Sequence, residues 1–135
     1  MKAEYEKGNF CIAGGDFNKD LPGNSGEIFG VPIPGSETWV QPLPEGIVPD
    51  GLRLIIPLHE DAPIASCRSA SEPYDVGTTF RITVDGFVVS DNVKVIDSNT
   101  IETDYEFSDH NPAFLDFELQ QAAADMTHSI SGGAI

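Results

Sequence analysis

The segment GNFCIAGGDFNKD, residues 8 to 20, ends an apolar run with Asp16 and Asn18, a carboxylate and a carboxamide two residues apart. On an extended strand end, residues at this spacing face the same side. Held together there, the pair can orient a water and hold a phosphoryl oxygen, as in-line attack on phosphorus requires. Gly-Asp-x-Asn also suits an Asx-turn for purely local reasons. In SDHNP, residues 108 to 112, Asp109 is a hard oxygen ligand suited to magnesium, and His110 can donate a hydrogen bond to a phosphate or move a proton. The alternative is a polar turn leading into an edge strand. Asp85, in TVDGFVVS between two apolar runs, needs a partner if buried, and an imidazole is a suitable one. A contact with His110 would fix the tautomer of that ring. The plainer reading of Asp85-Gly86 is a solvent-facing bend.

Fewer side chains than these could act on a substrate from elsewhere. Arg68, one of seven basic residues, lies in a loop from which its guanidinium could grip a phosphate, or it forms a surface ion pair. His59 in PLHED reads as a solvated loop residue, and His128 in the tail is further from any motif. Trp39 reads first as a core anchor for a long loop and second as a stacking platform.

The elements that must position these groups fit one domain: 135 residues can bury a modest core. Hydrophobic residues at 40% and charged residues at 21% are the balance of a globular chain. Acidic residues outnumber basic ones 22 to 7, giving a formal net charge of -15. Such a chain repels a nucleic-acid backbone and attracts divalent cations, and the excess also serves as a solvated surface. The two cysteines, Cys11 and Cys67, offer neither a disulfide framework nor metal-ligand spacing, and Cys11 reads as a small core residue. No apolar segment is long enough to span a membrane, and MKAEYEKGNF lacks the apolar stretch of a signal peptide.

Residues 1 to 8 are read as a helix end stopped by Gly8, and residues 9 to 14 as a short buried strand. Nine of the ten prolines fall between Lys19 and Asp75, which marks a loop-rich region holding only LRLIIPL, residues 52 to 58, and TWV as strand pieces. Residues 78 to 90 predict two strand pieces with a bend or bulge at Asp85-Gly86. VKVI and TIETDY predict a hairpin turning at Asp97-Ser98-Asn99. PAFLDFEL alternates and predicts a strand. The tail from Gln120 to Ile135 is expected to add a helical turn and fray.

Taken in order, GGDFN, VDGFVVS and SDHNPAFLDFEL resemble the C-terminal half of the endonuclease/exonuclease/phosphatase superfamily, the fold of DNase I and exonuclease III, over about Asn9 to Leu119. The resemblance implies an α+β fold: the β-rich half of a four-layer sandwich, mostly antiparallel, with few helices and long loops. It implies a phosphoesterase in which Asp16 orients or activates the attacking water and Asn18 helps hold water and phosphate. Asp109 would help bind magnesium or manganese, His110 would contact the scissile phosphate, and Asp85 would steady His110. Charge favours small or lipid-derived phosphoesters over duplex DNA.

Members of that superfamily are typically about twice as long, and their first half supplies an Asn and a metal-binding Glu. Only fifteen residues precede Asp16, and Glu4 and Glu6 stand in the wrong context to substitute. Residues 1 to 119 are therefore expected to be the C-terminal half of such a domain, whose inner sheet face needs a cover. That cover would be a separate N-terminal half or a second copy in a homodimer. The alternative function is a non-catalytic half-domain that self-associates or binds a partner, or a truncated gene product. A cation-binding module is weaker, because no EF-hand spacing occurs.

Overall fold

A computed structural model describes residues 1–119; the expectations for the tail, His128 included, lie outside the described residues. The chain begins with a single helical turn, α1 (Lys2–Glu6), and Gly8 takes a φ of +91° just beyond it. That left-handed conformation favours glycine and lets the chain leave the helix. Strand β1 (Ile12–Asp16) follows, then the short helix α2 (Ser25–Phe29), β2 (Leu52–Ile55), β3 (Cys67–Arg68), β4 (Arg81–Ile82), β5 (Asp85–Ser90), β6 (Val93–Thr100) and β7 (Ala113–Leu119). Among the described residues the fold is β-rich, with two short helices and long loops, and every strand pairing is antiparallel.

The strands form three small sheets, ordered β1-β5-β2, β3-β4 and β6-β7. In the first, β5 is central because DGFVVS is accepted on both edges: Val89 is fully buried, and Gly86 admits close neighbours. A Cβ at Gly86 would stand 2.7 Å from Leu21 Cδ1 and 3.1 Å from the Ile55 carbonyl oxygen. The core is modest, with Val40, Cys67, Phe80, Ile82 and Val84 packed together and Val31 against them.

Four sequence expectations are corrected. The buried strand at residues 9 to 14 runs instead from Ile12 to Asp16 and is exposed along its length, with Ile12 39% exposed. It is an edge strand with only β5 beside it, so an apolar run alone does not bury it. The break between the two strand pieces lies at Thr83–Val84, before Asp85-Gly86, where the Ser66 hydroxyl accepts the N–H groups of both Val84 (2.9 Å) and Asp85 (3.1 Å). There the chain passes from the β3-β4 sheet to the β1-β5-β2 sheet. No hairpin turns at Asp97-Ser98-Asn99: these residues continue β6 and pair with Asp116, Leu115 and Phe114, after a register shift between Val95 and Asp97. Long-range pairing to β7 outweighs the local turn preference of Asp, Ser and Asn. TWV forms no strand; Trp39 sits in a turn.

LRLIIPL contributes β2 over Leu52–Ile55, and PAFLDFEL contributes β7. Among the described residues, no helix is long and apolar enough to cross a membrane.

Candidate active site

Asp16 is the last residue of β1 and Asp85 the first of β5, and the two are directly opposed across the antiparallel pair. Like charges facing each other across strands are unfavourable; here an imidazole sits with them. His110 Nδ1 lies 2.7 Å from Asp85 Oδ2, and His110 Nε2 lies 3.8 Å from Asp16 Oδ2. With Nδ1–H donated to Asp85, the tautomer leaves Nε2 facing Asp16.

His110 is delivered by a rigid loop. Its own N–H donates to Ser108 Oγ at 3.1 Å, and the next N–H, of Asn111, donates to the Ser66 carbonyl at 2.8 Å. The Asn111 side chain is buried and fully engaged. Its Nδ2 donates to the Ala65 carbonyl (3.0 Å) and Glu102 Oε1 (3.1 Å), and its Oδ1 accepts from Thr103 N–H (3.1 Å) and Thr103 Oγ1 (2.6 Å). Tyr105 adds a hydrogen bond from its hydroxyl to Ala65 O at 3.0 Å. Burial first, then the Glu102 carboxylate, hold that phenol well above its usual range.

Strand β3 lies on the other side of the same loop. Arg68 N–H donates to Asp109 O at 3.0 Å, and Cys67 and His110 form a β-bridge. Cross-strand pairing of this kind brings side chains together, and Cys67 Sγ is 3.6 Å from His110 Nε2. The Cys67 thiol is pushed up to about 12, by burial first and then by the carboxylates of Asp109, Asp85 and Asp16.

Asp16, Asn18, Arg68, Asp109 and His110 line one open cleft of about 360 Å³, and Asp85 stands behind the His110 ring. Asp16 and Asn18 reach it by a different route from the expected one. Asn18 has a φ of +51°, and its N–H donates to Asp16 Oδ1 at 2.7 Å, which is the Asx-turn alternative. The two side chains are thus placed by a turn after β1 and not by strand alternation. Arg68 makes no ion pair among the described residues. Its Nη1 donates to the carbonyls of Ser69 (3.0 Å) and Glu72 (3.3 Å), which fixes the guanidinium at the cleft wall.

Three lining residues lay outside the sequence reading or were read differently. Trp39 is 43% exposed and borders the cleft, with Nε1 donating to Glu37 Oε2 at 2.6 Å, so it is not a core anchor. Glu37 and Cys67 carried no local signal, since the partners that bring them here are distant in sequence; Glu37 Oε1, for example, accepts from Ser69 Oγ at 2.8 Å. His59 stays out of the cleft, pairing with Asp97 Oδ1 at 2.7 Å.

Asp16 and Asp109 both line the cleft, but among the described residues they fall into separate groups of ligand atoms lying within 4.8 Å of one another: Asp16 with Asp85 and His110, and Asp109 with Cys67 and His110. A hard cation at either would take oxygen from one or two carboxylates and leave its remaining positions to water and phosphate oxygens. No protein-family model matches this chain, and no curated protein or solved structure matches it either.

Proposed function

We propose that the chain carries the hydrolytic half-site of a divalent-metal-dependent phosphoesterase, on a fold related to the C-terminal half of the endonuclease/exonuclease/phosphatase superfamily. The observation that carries this reading is the line Asp85–His110–Asp16 at the mouth of a cleft that Asp109 and Asn18 also enter. Asp85 orients the His110 ring so that Nε2 faces the cleft, where with a proton on it Nε2 would donate to a phosphoryl oxygen on which charge develops. Asp16, with Oδ1 occupied by the Asn18 N–H, keeps Oδ2 to orient or deprotonate the attacking water. The Asn18 amide helps hold water and phosphate, and Arg68 lies where a phosphate oxygen would meet a cation. Magnesium or manganese, which Asp109 would help hold, would supply Lewis-acid activation of the phosphoryl group. An acidic chain with no basic stripe favours a small or lipid-derived phosphoester over duplex DNA.

The test is hydrolysis of bis-p-nitrophenyl phosphate with magnesium or manganese, by the wild-type chain, Asp16→Ala and His110→Ala. Each variant is expected to lose about 10²-fold or more in rate. Equal rates in all three folded proteins would remove both residues from the mechanism.

A second reading is favoured by one further observation. The face of the β1-β5-β2 sheet that carries Ala13, Val88 and Leu52 opens into a groove completed by Phe17, Leu43 and Ile47, with no acidic or basic side chain in its lining. This supports a half-domain that covers the face with a second copy or an N-terminal half, whether or not it is itself catalytic.

A further inference from the structure

The thiol beside the proposed catalytic histidine has no part in the hydrolytic scheme. Cys67 Sγ, His110 Nε2 and an Asp109 carboxylate oxygen lie within 4.8 Å of one another. These are the three ligand types that zinc selects, whereas magnesium takes only oxygen. We propose that Cys67, Asp109 and His110 form a zinc site.

Three observations converge on it. The first is distance: zinc bonds of about 2.3 Å to sulfur and about 2.0–2.1 Å to nitrogen, at a tetrahedral angle, set sulfur and nitrogen roughly 3.5 Å apart, and Cys67 Sγ and His110 Nε2 are 3.6 Å apart. The second is orientation. A zinc-bound histidine ordinarily donates its other ring N–H to a carboxylate, which fixes the tautomer and raises the basicity of the ligating nitrogen. Asp85 Oδ2, at 2.7 Å from His110 Nδ1, already does this, so Nε2 is the nitrogen left for a cation. The third is rigidity. The β-bridge between Cys67 and His110, and the Arg68 N–H bond to Asp109 O, tie the three ligands to one short stretch of paired backbone. The three ligands also line the open cleft, which leaves room for a water or substrate oxygen in the fourth position.

The site rests on the hydrolytic reading only in sharing Asp109 and His110 with it, and it has its own consequence. A zinc ion on Nε2 withdraws His110 from a phosphate, so the cleft would answer differently to a soft and a hard cation.

Cobalt(II) serves as the spectroscopic substitute for zinc, added without substrate to the full chain freed of metal by a chelator. The expected result is a sulfur-to-cobalt charge-transfer band that saturates at one ion per chain, disappears on adding zinc, is absent in Cys67→Ser and persists in Cys11→Ser. Absence of the band, or its survival in Cys67→Ser, would overturn the site. Should Cys67→Ser fail to fold, His110→Ala and Asp109→Ala serve in its place. Each is expected to weaken cobalt binding at least tenfold, and unchanged binding in both would overturn the site equally. Because the band is read without turnover, loss of the hydrolytic reading leaves this result standing, and the reverse also holds.

Discussion

At the scale of single residues, the site depends on how Asp85 holds His110. Asp85→Asn replaces an acceptor-only carboxylate with an amide that can present either a donor or an acceptor to Nδ1, so the tautomer is no longer fixed. The expected loss in phosphodiester hydrolysis is about 10–100-fold, with an unchanged circular dichroism spectrum; a wild-type rate would mean that the 2.7 Å contact is incidental. Cys67 makes a separate prediction. Its thiol is pushed up to about 12, so at pH 8 it is protonated in the folded chain, and alkylation by iodoacetamide is expected to be much slower than in denatured protein. A raised folded value contributes stability that is present below the unfolded value and lost as pH rises from there through about 12, so this thiol adds to alkaline unfolding. Asp16, Asp85, Asp109 and His110 could be picked from the sequence because each stands in a short motif with its own chemistry. Cys67 could not, because its neighbour His110 is 43 residues away in sequence and is brought beside it by a β-bridge. Asn111 carries no chemistry of its own in the motif, yet its buried amide anchors the loop that carries the histidine.

At the scale of elements, the site is set by where β4 ends and β5 begins. Ser66 Oγ accepts two successive N–H groups at that junction, and Ser66 is fully buried. Ser66→Ala leaves both donors without a partner and is expected to cost about 1–3 kcal/mol per unsatisfied group, read as a lower urea midpoint. Gly86→Ala, with a Cβ forced to 2.7 Å from Leu21 and 3.1 Å from the Ile55 carbonyl, is expected to cost about 1–3 kcal/mol through overpacking. A midpoint unchanged in either variant would contradict this account of the junction. The strands at β2 and β7 could be read from composition and alternation. The continuation of β6 through Asp97-Ser98-Asn99 could not, because turn-forming residues were held extended by a partner strand that begins at Ala113. The exposure of β1 also escaped the sequence, since an apolar run specifies a strand but not the layer that covers it.

At the scale of the whole molecule, a small core and an apolar groove meet a net charge of -15. If two copies cover the groove, their like charges oppose association, and salt screens that repulsion. Light scattering is therefore expected to give twice the mass of the 14.5 kDa chain, with the dimer strengthening as salt is added; a monomer at every salt concentration would sink the homodimer. The proposed phosphoesterase function rests on three motifs in order and on the cleft lined by Asp16, Asn18, Asp109 and His110. The most direct measurement is bis-p-nitrophenyl phosphate hydrolysis by the 135-residue chain before chelation, after chelation, and after magnesium or manganese is restored. Activity that vanishes and returns with the cation is the predicted result, and activity that persists through chelation, or none in a demonstrably folded chain, would contradict it.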